Sequence, residues 1–127
     1  MFSKLFSGKD EVSTVQWNNI ATLGDLEDLH KLSNETPVLI FKHSIRCSIS
    51  STALKRFERE FEEPADFKPY FIDLISYREI SDAISLKYGI VHQSPQILLI
   101  VEGNCIYSSS HNGINYQEIN EKAKEHV

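Results

Sequence analysis

"PVLIFKHSIRCSISSTALKRFEREF", residues 37–61, joins two patterns of different period. The first part, Pro37 to His43, is a continuous apolar and β-rich run, short enough for a strand buried on both faces and therefore central in a sheet. The second carries Ile49, Ala53, Phe57 and Phe61 at four-residue spacing before Pro64 stops it, which predicts a helix. Cys47 falls where one pattern ends and the other begins, so the local order is strand, cysteine, helix.

The same reading extends outward in both directions. Upstream, "STVQW" (13–17) alternates weakly and predicts a short edge strand. "TLGDLEDLHKLS" (22–33) places Leu23, Leu26, Leu29 and Leu32 three apart behind a Thr22/Asp25 capping box, predicting an amphipathic helix. Downstream, "KPYFIDL" (68–74) is a second apolar run. In "SYREISDAISLKYG" (76–89), Ser76 and Glu79 have capping-box spacing and Gly89 sits where a helix-ending glycine would. "QILLIV", "EGN" and "CIYSSS" (96–110) read as a hairpin around a Gly-Asn turn. Asn115 and Glu118 cap a last helix bearing Tyr116, Ile119 and Ala123. The predicted order is βαβαβαββα, an α/β domain with a mixed central sheet flanked by helices. Residues 1–14 are expected to be an N-terminal tail and 15–127 one domain, the number that 127 residues supports.

Composition narrows the function classes. A net charge of −5, without a basic stripe, argues against nucleic-acid binding. The broken apolar stretch of "MFSKLFSGKD" is no signal-peptide core, and no run is long enough to span a bilayer. A soluble cytoplasmic protein is expected, with no membrane partner. Two cysteines, Cys47 and Cys105, form neither a metal-ligand spacing nor a disulfide framework, and the five histidines make no zinc-helix pair. No metal site is expected.

The beginning of a helix offers unpaired N–H groups and the positive end of its dipole, both favouring an anion at Cys47. Lys42, His43 and Arg46 add positive charge just upstream. The competing reading is a small hydrophobe packed in the core. Pro95, in "VHQSPQILLI" (91–100), directly precedes a strand pattern, a position where proline is tolerated and where a cis X-Pro bond occurs.

Strand, cysteine and helix, then a proline opening a later strand, resemble the thioredoxin superfamily from about residue 14 onward. Gly103 and Gly113 also fall where thioredoxins carry glycine. "FKHSIRCSISSTA" (41–53) with "SPQ" (94–96) is most similar to the monothiol bacilliredoxins of the YtxJ type, in which Lys-His-Ser leads into Cys-Pro-Ile-Ser. Here Ser48 stands in place of that proline. The resemblance implies Cys47 as nucleophile and Ser50 at the position of the second cysteine of a Cys-x-x-Cys motif. Ser50 then either donates a hydrogen bond to the Cys47 thiolate or caps the helix. It implies that the Ser94 backbone, beside cis-Pro95, pairs with the substrate chain, and that Lys42, His43, Arg46 and Ser48 border the substrate.

The implied activity is removal of a low-molecular-weight thiol, bacillithiol, from mixed disulfides on client proteins. Bacillithiol would be a co-substrate, with no tightly bound cofactor. Its malate carboxylates would suit Lys42, Arg46, Lys55 or Arg56. Cys105 is the only other candidate resolver of an intermediate, although its hairpin position favours packing. Two further classes remain open: a glutaredoxin-like iron–sulfur cluster carrier and a non-catalytic thioredoxin-like interaction module.

Overall fold

A computed structural model describes residues 15–127. The expected tail over 1–14 lies outside the described residues. Among the described residues five strands form one mixed sheet: β1 (Asn18–Asn19), β2 (Val38–His43), β3 (Lys68–Asp73), β4 (Gln96–Val101) and β5 (Asn104–Ser110). Four helices alternate with them: α1 (Leu23–Leu32), α2 (Ser48–Glu60), α3 (Arg78–Tyr88) and α4 (Tyr116–Lys124). Spatial order in the sheet is β1-β3-β2-β4-β5. β3 runs parallel to both β1 and β2, whereas β4 is antiparallel to both β2 and β5.

Every residue of β2 is buried, as its unbroken apolar run requires of a strand covered on both faces. Alternation then divides the core in two. Leu39 and Phe41 point to the face covered by α2 and α4, where Phe57, Phe61, Phe67 and Tyr116 gather. Val38 and Ile40 point to the face covered by α1 and α3, with Leu26, Leu29 and Ile84. Phe57, 1% exposed, lies with its centroid 5.7 Å from those of Trp17, Phe41 and Tyr116. It fixes α2 on the sheet through aromatic contacts made in edge and tilted geometries.

The capping box of α1 is present: Thr22 Oγ1 accepts from Asp25 N at 3.0 Å, and Asp25 Oδ2 accepts from Thr22 N at 3.1 Å. Of the leucines spaced three apart, Leu26 and Leu29 are buried but Leu23 is 61% exposed. Three residues turn a helix about 300°, so such a stripe drifts off the buried face at its ends.

Three local expectations shift. Residues 13 and 14 of the expected first strand lie outside the described residues, and 15–17 are not strand: the first strand among the described residues is Asn18–Asn19, because Val15 is buried and the Trp17 indole is held by Phe41, Phe57 and Phe71 and donates to Glu58 Oε2 at 2.7 Å. Ser76 does not cap α3. Asp73 at the end of β3 takes both the Ile75 N–H and the Ser76 hydroxyl, each at 3.0 Å, and the helix starts after Tyr77. The hairpin turn is Glu102–Gly103, one residue earlier than Gly-Asn: Val101 pairs with Asn104, and both central residues have positive φ, 50° and 79°. That is the backbone a two-residue primed turn needs. Gly89, at φ 66°, ends α3 as expected.

Candidate functional site

The sheet edge formed by the C-terminal end of β2 and the N-terminal end of β4 carries the chemistry. β2 ends at His43, and Cys47 N–H donates back to Ser44 O at 3.2 Å, turning the chain into α2. Cys47 is the N-cap residue of α2, with extended backbone at φ −111° and ψ 120°, and its carbonyl accepts the first helical bond from Ser51 N at 3.0 Å. Its side chain caps nothing and is half-buried, while Ile45, Arg46, Ser48 and Ile49 around it are exposed. The sulfur therefore stands at the positive end of a 13-residue helix, open on one side to solvent.

Ser50 turns the other way. Its hydroxyl is fully buried, accepts from Ser44 N at 3.1 Å and lies 2.7 Å from His43 Nδ1. These two bonds tie the first turn of α2 to the end of β2, so the loop bearing Cys47 is held at both ends. His43, 5% exposed against the Phe71 ring, has its pKa pushed down by burial, with the charges of Asp73 and Glu58 opposing. The imidazole beside Ser50 is thereby biased to its neutral form.

The Ser94–Pro95 bond is cis, as is Glu63–Pro64 elsewhere in the chain. Lys42 pairs with Gln96, so the register sets Pro95 at the same end of the sheet as His43 and the loop to Cys47. Pro95 is buried and its carbonyl accepts from His111 N at 3.0 Å. Ser94 Oγ is buried with no hydrogen-bond partner. Gln96, a residue the sequence reading passed over, braces this loop: its amide donates to Val91 O at 2.9 Å and its Oε1 accepts from Gln93 N at 3.4 Å. A polar side chain opening an otherwise apolar strand was the signal for it.

Lys42 is not beside Cys47. Alternation along β2 sends it to the opposite face from His43, where it is fully buried under α3. Its ammonium donates to Ser81 O at 3.2 Å and Ser85 Oγ at 2.7 Å and lies 3.3 Å from His92 Nδ1. Burial lowers its pKa to about 8, against the pull of Asp82. A lysine so enclosed cannot meet the carboxylates of a substrate arriving from solvent. Arg46 remains exposed in the loop and Lys55 on α2. Arg56 is half-buried and donates from Nη2 to Ile114 O at 3.0 Å.

Cys105 belongs to the far end of the sheet. It pairs with Ile100, four residues along β4 from Gln96, a separation of about 13 Å. It packs against the α1/α3 face of the core, its Sγ is 3.4 Å from Tyr107 O, and burial pushes its thiol pKa up. Among the described residues no group of three or more His, Cys, Asp or Glu side chains is arranged to hold a metal, and no helix is long and apolar enough to cross a membrane.

A half-exposed cysteine at a helix start, next to a proline-led strand in this sheet, defines a thioredoxin-fold protein with a thiol redox role. A protein assigned as an oxidoreductase with a thioredoxin fold is 26% identical, superposes with a TM-score of 0.67, and is matched over 84% of this chain and 91% of its own. Thioredoxins of Malassezia sympodialis (13% identity, TM-score 0.68, 94% and 98% covered) and Schistosoma mansoni (17%, 0.67, 91% and 100%) share the fold. Residues 18–119 match the family model of the monothiol bacilliredoxin BrxC, and the chain belongs to that family.

Proposed function

We propose that the protein is a monothiol oxidoreductase that removes bacillithiol from mixed disulfides on client proteins. The observation that carries this reading is the division of roles at the start of α2: Cys47 faces solvent, while the residue three positions on is a serine turned inward to His43 and Ser44. A hydroxyl forms no disulfide, and the remaining cysteine lies at the other end of the sheet, beyond the roughly 7 Å Cα separation that a disulfide bridges. In the first step the Cys47 thiolate attacks the bacillithiol sulfur of the mixed disulfide. A new S–S bond joins Cys47 to bacillithiol, and the client leaves as its thiolate. A second bacillithiol thiolate then attacks that disulfide, forms bacillithiol disulfide and releases Cys47. Each step exchanges one S–S bond for another, so electrons balance without a bound cofactor. The clients are S-thiolated proteins in a reducing cytoplasm, and the backbone at Ser94 is the strand-pairing surface offered to them.

The test is client dethiolation followed by mass spectrometry. Cys47→Ala should abolish transfer, Cys105→Ala should leave the rate within about twofold on the ordinary independence of distant sites, and the trapped intermediate should be Cys47 joined to bacillithiol. A Cys47–Cys105 disulfide during turnover would overturn the monothiol scheme.

A further inference from the structure

A cleft of about 160 Å³ begins at Ser48, the residue after Cys47, and is lined by Ser48, Ile49, Thr52, Ala53, Arg56 and, from the turn His111–Gly113, Asn112. Ser48, Thr52 and Arg56 follow at four-residue steps, so they lie one above another on the same side of the helix. The polar groups are two hydroxyls, one amide and one guanidinium. Among the described residues Arg56 has no carboxylate partner; its one bond, Nη2 to Ile114 O, holds the group against the closing turn and leaves its other N–H groups uncommitted. A guanidinium fixed at one edge and free at the other is suited to a planar anion.

We propose that this cleft binds the acidic end of the small thiol, with Arg56 as the residue that selects for a carboxylate. The inference rests on the exchange reaction proposed above. It also sets the length of the ligand. Arg56 lies nine residues beyond Cys47, about 13 Å along the helix axis and on a different side of it, so a ligand joined to the sulfur must be long to reach the guanidinium. Cysteine, whose carboxylate lies next to its thiol-bearing carbon, is too short. A conjugate with its acid several bonds beyond the cysteinyl unit spans the gap, and Ile49, 56% exposed at the mouth, supplies an apolar edge beside the path.

The experiment uses the full chain carrying Cys105→Ala, with Cys47 converted to its mixed disulfide with thiopyridine. Thiopyridone release is followed with three thiols at equal thiolate concentration: bacillithiol, its malate dimethyl ester, and cysteine. Their attack joins the incoming thiol to Cys47, so the rate reports how its remainder fits the cleft. Bacillithiol should outrun its diester by roughly fivefold to tenfold, the size of one charge-assisted contact in a partly exposed site. Arg56→Gln should erase that ratio, Arg56→Lys should retain part of it, and Asn112→Asp, a change at an exposed turn, should depress bacillithiol while sparing the diester. Cysteine should be indifferent to all three substitutions. Equal rates for acid and diester in the unsubstituted cleft would overturn the proposal, as would an equal loss for both in Arg56→Gln, since that would mark Arg56 as structural. Failure of every thiol to form a disulfide with Cys47 would overturn the exchange reading, and this one with it.

Discussion

Ser50 shows how a single hydroxyl decides what its neighbours do. With Ser44 N–H on one lone pair and His43 Nδ1 at 2.7 Å, it is committed to the loop, rather than to either of the two expected partners, the Cys47 thiolate and the helix end. Ser50→Ala would leave a buried N–H and a buried ring nitrogen without partners, an expected loss of about 1–3 kcal/mol. The urea midpoint should fall with the m-value unchanged; an unaltered midpoint would mean that water replaces the hydroxyl. The position of Cys47 was legible in the sequence because a strand-length apolar run and a four-residue apolar spacing meet there. The Ser50–His43 contact was not, since it depends on the path of the intervening loop. Lys42 was misplaced for a different reason: its nearness to Cys47 in sequence outweighed strand parity. Adjacent residues of a strand face opposite ways, so His43 and Lys42 could not both border the same sulfur.

At the scale of elements, α2 is both the scaffold of the site and a principal support of the core. Phe57 sits two turns beyond Ser50 on the buried side, among Trp17, Phe41, Phe61, Phe67 and Tyr116. Truncation there opens a cavity that the surrounding rings, anchored on β2, α4 and the segments flanking β1, α2 and β3, cannot readily fill. Phe57→Ala should cost about 3–5 kcal/mol, read as a shift of the denaturant midpoint. A cost below about 1 kcal/mol would show that the neighbouring rings collapse into the space. Element type and order were legible throughout, because buried strands, capped helices and a glycine-containing turn each leave a periodic or positional mark. Boundaries were less so. Asp73 supplied a turn that displaced Ser76 from its cap, a competition between two short polar side chains that spacing alone does not resolve.

Across the whole molecule the two faces of the sheet have different tasks at the same end. His43 and Cys47 lie with α2, while Lys42 lies behind them under α3, tied to Ser81, Ser85 and the loop of His92 that leads to Pro95. An enclosed ammonium without a bonded carboxylate weakens the fold while it is charged, and this makes stability depend on pH in a direction that can be worked out. Burial sets the folded pKa of Lys42 at about 8, below its ordinary 10.5. Between those values the unfolded chain holds a proton that the folded chain has released, so stability rises with pH through the window, by at most about 1.4 kcal/mol per pH unit for one proton. Below about pH 8 both states are protonated and the penalty is constant. Tyr70, Tyr88, Tyr107 and Tyr116, whose pKa values burial raises, act in the opposite sense at the alkaline end. They are common to wild type and to Lys42→Met, so the difference between the two proteins isolates the lysine. That difference, measured by urea denaturation at intervals from pH 7 to 10, should be level to about pH 8 and then move in favour of the wild type. A flat difference across the whole range would mean that Lys42 keeps its ordinary acidity, and that the bonds it donates to Ser81 and Ser85 fully offset its burial.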